Sequence, residues 1–239
     1  MSTQKHLARA ALVLSGLLMA PPSVTAYPLD GYEDTGIRRV EGARLANEGL
    51  AIGGFQPPGA MLTTEQVDLR LLGNPELALP APDPAFTAQV SALLGEHANA
   101  YGIAVLDLSD ASDIRYAEHR GDYRQNVGSV GKILGALGLF QALADAWPDD
   151  YQRRREILRN TVITADDFAH HDHHQVRIFD VDTRVLTRRT IQAGDQALLW
   201  ESRDWMLSGS STSAAARVRR AAMLLRPVGR DYPGSEQDI

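Results

Sequence analysis

The stretch NVGSVGKILGALGLFQALADA, residues 126–146, carries the features that decide our prediction of the fold. Its apolar side chains from Ile133 to Leu143 cover most of a helix circumference, which predicts a buried helix over residues 129–146. Lys132 stands at the opening of this helix, three residues after Ser129. Because side chains three residues apart share one face of a helix, we expect Ser129 and Lys132 to be neighbours.

Lys132 has the properties of a base that could activate Ser129. A lysine in the first helical turn opposes the helix dipole, and on an apolar helix its ammonium loses water, so both effects favour the neutral amine. A neutral amine beside a hydroxyl makes that hydroxyl a nucleophile, and N–H groups at a helix start can stabilise an oxyanion. Arginine cannot deprotonate, and Lys5 and Lys132 are the only lysines among 24 cationic residues. The alternative is a chance spacing.

The elements around this helix predict an α+β protein. Asp83 and Pro84 mark a helix start as N-cap and first helical residue. Residues 101–108 and 114–119 are predicted as a β-hairpin. Further helices are predicted over residues 37–45, 64–72, 149–159, 195–207 and 213–225, with Arg217, Arg219 and Arg220 on a solvated helix face.

Two other motifs that could explain the glycines of this stretch fail in detail. A phosphate-binding loop would need glycine where Asn126 stands and serine or threonine where Ile133 stands. A nucleophile elbow would need glycine at Val127.

The order of elements around Ser129-Val130-Gly131-Lys132 resembles the serine β-lactamase and penicillin-binding protein superfamily, whose first motif is S-x-x-K. The resemblance implies a mainly helical subdomain and an antiparallel sheet, with no cofactor. It also implies that Ser210 relays a proton between Lys132 and the leaving group. Thr212 stands where the family's S-x-N motif has a substrate-binding asparagine.

The resemblance covers residues 83–225, and the family's third motif, K-T-G, does not occur. We therefore expect an incomplete sheet, with one strand pair near residues 101–119, and a chain cut short before the domain is complete. The implied function is that of an exported serine hydrolase, which acts on a β-lactam or a peptidoglycan-like amide through an acyl-enzyme. Truncation could leave it inactive, and a catalytically inactive envelope binding protein is the first alternative.

The segments outside this region suggest export. Residues 1–26 have a basic start, a short apolar run and a small-x-small ending, which predicts a cleaved signal peptide and a periplasmic or secreted protein. The apolar run is too short for a stable membrane span. Residues 27–82 are predicted as a loop-rich extension with short helices, and residues 83–239 as the hydrolase-like domain.

Composition removes several classes of function. The chain has no cysteine, so it has no disulfide, thiolate metal site or cysteine nucleophile. Its formal net charge is -6, and no basic tract is dense enough to follow a phosphate backbone, so nucleic acid is not an expected partner.

A histidine cluster gives the second alternative. Four of the seven histidines fall in residues 170–174. On a helix capped by Thr164, His170 and His174 would lie one turn apart, a spacing that can chelate zinc. We give precedence to a structural or cleft-lining role and keep metal binding as an alternative.

Overall fold

The computed structural model describes residues 31–52, 62–66, 70–74, 76–124, 126–166 and 172–233, and it confirms an α+β protein. These residues contain seven α-helices and three two-stranded antiparallel sheets. The helices are α1 (Tyr32–Thr35), α2 (Arg38–Asn47), α3 (Pro84–Leu94), α4 (Lys132–Ala146), α5 (Tyr151–Asn160), α6 (Leu199–Ser208) and α7 (Thr212–Val228). The strands are β1 (Ile103–Asp107), β2 (Arg115–His119), β3 (Val162–Thr164), β4 (Val176–Asp180), β5 (Val185–Arg189) and β6 (Gln196–Leu198).

The main core lies where α4 and α6 pack against α7. Leu139 of α4, Trp205 of α6 and Val218 of α7 are fully or almost fully buried there. The indole N–H of Trp205 donates to the carbonyl of Arg177, 3.0 Å away, which joins β4 to this core. The core therefore fixes the ends of α4, α6 and α7 relative to one another.

The predicted extension is joined to this core by α2. Arg38 donates to both carboxylate oxygens of Glu201, and buried Arg39 pairs with buried Asp204, both acidic residues belonging to α6. A Cβ at Gly42 would lie 2.6 Å from the ring of Phe179 in β4, so only glycine permits this close approach. The segment thus contributes to the core of the protein.

The predicted helix and hairpin before α4 are confirmed. Asp83 caps α3 by accepting from the Phe86 N–H at 2.7 Å, with Pro84 as the first helical residue. Strands β1 and β2 pair antiparallel from Ile103 opposite His119 to Asp107 opposite Arg115, and α3 packs on β2.

The prediction of a single strand pair is wrong. β3 pairs with β6, and β4 pairs with β5 in a hairpin. Thr164 ends β3 and does not cap a helix, because its backbone is engaged in pairing with Gln196. For the same reason the helix predicted from residue 195 begins only at Leu199.

Helix α4 is buried along one side only, which corrects the prediction of a wholly buried helix. Leu139 and Leu143 face α7 and the core, whereas Ile133, Leu134 and Leu137 are more than half exposed. The helix is apolar all round, but in the described residues its neighbours cover a single face. The exposed face is an apolar patch beside Ser129.

Within the described residues, none of the helices has the length and apolar character needed to span a bilayer. The predicted signal peptide, residues 1–26, lies outside the described residues.

Candidate active site

Ser129 and Lys132 are brought together by a tight turn. Residues Gly128–Gly131 form a 3₁₀ turn, and α4 begins at Lys132, so Ser129 precedes the α-helix that was predicted to contain it. Side chains three residues apart eclipse each other in 3₁₀ geometry. Lys132 Nζ accordingly donates to Ser129 Oγ at 3.1 Å. Ser129 is exposed, and Lys132 is partly buried.

Ser210 reaches the same lysine from a distant part of the chain. It lies between α6 and α7, and Lys132 Nζ donates to its Oγ at 3.3 Å across 78 residues of sequence. The structure therefore places three of the sequence-predicted site residues, Ser129, Lys132 and Ser210, within hydrogen-bond distance around one amine.

The backbone of Ser210 is strained. Its φ is +54°, in the left-handed region that costs a residue with a side chain about 1–2 kcal/mol. The preceding residue is Gly209, which could adopt this conformation at no cost but does not. The turn therefore places a serine where glycine would be more stable.

The turn that carries Ser210 is held by Asp172, a residue whose role the sequence did not reveal. The Ser211 hydroxyl donates to Asp172 Oδ2 at 2.6 Å, and the Ser213 N–H donates to the same oxygen at 2.9 Å. Ser211 also caps α7 by accepting from the Ala214 N–H. A sequence signal for such a contact would be an acidic residue within a few positions of the Ser-rich helix start. Asp172 is 39 positions before Ser211, so this signal is absent.

The charge state of Asp172 follows from its donors. Burial alone would raise the pKa of this carboxyl, whose side chain is only 3% exposed, but hydrogen bonds from Ser211, Ser213 and His174 outweigh burial. They hold the pKa of Asp172 well below its usual range. Asp172 is thus a carboxylate acceptor beside the Ser210 turn that stays charged at neutral pH.

The described part of the histidine cluster is organised around the same carboxylate. His174 donates to Asp172 Oδ1 through its backbone N–H at 3.0 Å, with its Nδ1 at 2.8 Å from that oxygen. Ligand atoms of Asp172, His173 and His174 lie within 4.8 Å of one another, so the trio could hold a metal ion. Both oxygens of Asp172 already accept from protein groups, which fits a structural role. His170 lies outside the described residues.

The remaining predicted groups of the site are Thr212 and the backbone N–H groups at the start of α4. Thr212 is the first residue of α7 and is exposed. The N–H groups of Val130 and Lys132 donate within the turn, to Val127 and to Ser129 and Val130. These two N–H groups are therefore engaged and are not the oxyanion donors expected from a helix start.

Comparison of the chain with family models, with curated proteins and with solved structures returned no match. The interpretation of the site therefore depends on its residues and their geometry.

Proposed function

We propose that this protein is a serine hydrolase that forms an acyl-enzyme on Ser129. The observation that carries the proposal is the position of Lys132, whose Nζ lies 3.1 Å from Ser129 Oγ and 3.3 Å from Ser210 Oγ. A nucleophile within hydrogen-bond distance of its base, with a third group beside that base, is the arrangement that covalent catalysis requires.

The reaction would follow from these distances. The neutral amine of Lys132 takes the hydroxyl proton of Ser129 as Oγ attacks the carbonyl carbon of the substrate. The Ser210 hydroxyl then gives its proton to the leaving nitrogen and takes one from the Lys132 ammonium, while the carbon–nitrogen bond breaks. Water hydrolyses the resulting ester and restores Ser129.

The exposure of Ser129 and the strain at Ser210 support this assignment. An exposed nucleophile can be reached by an acyl donor without an opening motion. Strained conformations persist at functional sites, where the geometry is needed more than the stability.

The substrate class comes from the resemblance to the β-lactamase and penicillin-binding protein superfamily. It points to a β-lactam or a peptidoglycan-like amide as the acyl donor. Such a substrate lies outside the cytoplasm, in agreement with the signal peptide we infer for residues 1–26. The substrate class and the location outside the cytoplasm are both inferred from the sequence.

A fluorophosphonate probe tests the nucleophile. We expect stoichiometric labelling of the purified protein, mapped by peptide mass spectrometry to Ser129, and loss of labelling in Ser129→Ala. Ser112→Ala is the matched control, because Ser112 is an exposed serine in the β1–β2 turn and should leave labelling unchanged. Labelling that persists in Ser129→Ala, or that maps to Ser210, would refute the assignment.

A further inference from the structure

A cavity of about 280 Å³ lies between β3, α7 and the segment that follows α7. Its walls are part polar and part apolar, and the apolar part includes Ile163 from β3, Ala221 and Leu224 from α7, and Pro233 beyond the helix. None of its lining residues belongs to the Ser129 site. The cavity is large enough for a small organic molecule.

Arg217 of α7 lines this cavity and is buried, which corrects the prediction that it lies on a solvated helix face. Only 5% of the residue is exposed, and none of its three guanidinium nitrogens has a hydrogen-bond partner among the described residues. A buried charge without a partner is costly, and arginine cannot relieve that cost by losing its proton. Among the described residues, the guanidinium therefore has no hydrogen-bonded counter-ion.

The nearest carboxylates are held by other arginines. Asp166 accepts from Arg220 at 2.5 Å, and Asp195 accepts from Arg189 at 2.6 and 2.8 Å. Both carboxylates attract Arg217 through space but give it no hydrogen bond among the described residues. In the part of the cavity wall that the structure describes, two arginines and one carboxylate leave one positive charge in excess.

We infer that this cavity is a binding site for a small organic carboxylate, whose two oxygens pair with the guanidinium of Arg217 and whose apolar tail lies against Ile163 and Leu224. A guanidinium presents its N–H groups as a fork that matches a carboxylate, and one carboxylate neutralises one excess charge. Thr161 and Thr164 also line the cavity, and a threonine hydroxyl can donate to an anion. Tyr232 adds a further donor, because burial raises the pKa of its phenol to about 12 and keeps it protonated.

Benzoate and benzyl alcohol are matched probes for this site, since they share a ring and differ in the charge. Calorimetric titration of the full chain should show benzoate binding at least tenfold more tightly than benzyl alcohol or inorganic phosphate. Benzoate should also raise Tm, and the rise should continue with the logarithm of its concentration above Kd. Equal affinity for benzoate and benzyl alcohol would show that the carboxylate charge does not contribute to binding. Equal affinity for benzoate and phosphate would show that the apolar tail does not contribute. An absence of benzoate binding would overturn the inference.

Arg217→Met tests the residue itself, with exposed Arg219→Met on the same helix as the control. Arg217→Met should abolish benzoate binding without loss of stability, because replacing an unpaired buried charge by an apolar side chain is neutral or stabilising. Arg219→Met should bind as the parent protein does. If Arg217→Met does not fold, Ala216→Leu provides the test. Its larger side chain fills the cavity and leaves the guanidinium in place, so benzoate binding should be lost. Retained binding in Ala216→Leu or in folded Arg217→Met would place the ligand elsewhere.

Discussion

Asp172 links the chemistry of the Ser210 turn to the stability of the protein. Its carboxylate accepts from the Ser211 hydroxyl, from the Ser213 N–H and from His174, and these donors surround the first residues of α7. Ser211 and Ser213 are themselves buried. The position of Ser210 relative to Lys132 therefore depends on a charged acceptor that, among the described residues, is hydrogen-bonded to neither Ser129 nor Ser210.

Asp172→Asn should lower the free energy of unfolding by about 1–3 kcal/mol at pH 7, because the amide leaves donors unpaired. The folded-state pKa of Asp172 is depressed, so its contribution is complete above the unfolded pKa of about 3.9 and is lost as the pH falls through the folded value. The stability difference between wild type and Asp172→Asn should narrow between about pH 5 and about pH 2.

Urea unfolding at several pH values measures this difference. Exposed Asp122→Asn is the control and should change the stability little at any pH. A difference between wild type and Asp172→Asn that stays constant over the acid range would show that Asp172 acts through its shape and not through its charge.

At the scale of elements, the two faces of α4 should differ in their contribution to stability. Leu139 is fully buried and Leu134 is 70% exposed. Leu139→Ala should cost about 2–5 kcal/mol through lost burial and the cavity left behind. Leu134→Ala removes the same atoms from an exposed position and should change stability by less than about 0.5 kcal/mol.

Chemical denaturation of the two variants tests this description of α4. A cost for Leu134→Ala as large as that for Leu139→Ala would mean that the exposed face is covered in solution. The patch formed by Ile133, Leu134 and Leu137 would then be part of a packed interface.

Local signals in the sequence were enough to predict several elements. The Asp83 and Pro84 pair marks the start of α3, and the spacing of Ser129 and Lys132 predicts their contact, because both depend on neighbouring residues. The hairpin of β4 and β5 carries no such local signal, because neither VRIFD nor VLTRR alternates strictly between apolar and polar residues.

Other features depend on contacts between distant residues. β3 and β6 have three residues each and are strands only because they pair with one another. The burial of Arg217 results from the tertiary packing of α7, since its neighbours Arg219 and Arg220 are less buried on the same helix. The contact of Asp172 with Ser211 likewise has no local pattern, so the sequence alone could not supply it.

At the scale of the whole molecule, the candidate site depends on a series of contacts between helices. α2 is fixed to α6 by the buried pair of Arg39 and Asp204, and α6 leads directly into the Ser210 turn. α7 packs against both α6 and α4, and α4 carries Lys132 at its start. The distance between Lys132 and Ser210 is thus set by the helical core and by the N-terminal segment together.

A double-mutant cycle on acylation tests most directly whether Ser129, Lys132 and Ser210 act as one unit. The rate of Ser129 acylation by a β-lactam, whose carbon–nitrogen bond breaks in this step, would be measured in wild type, Lys132→Met, Ser210→Ala and the double variant. We expect Lys132→Met to slow the acylation of Ser129 by about 10²–10⁴-fold, because the variant lacks the general base. The double variant should be no slower than Lys132→Met alone, because residues that act as a unit are not additive. Losses that multiply, or full labelling of Ser129 without Lys132, would contradict this account of the site.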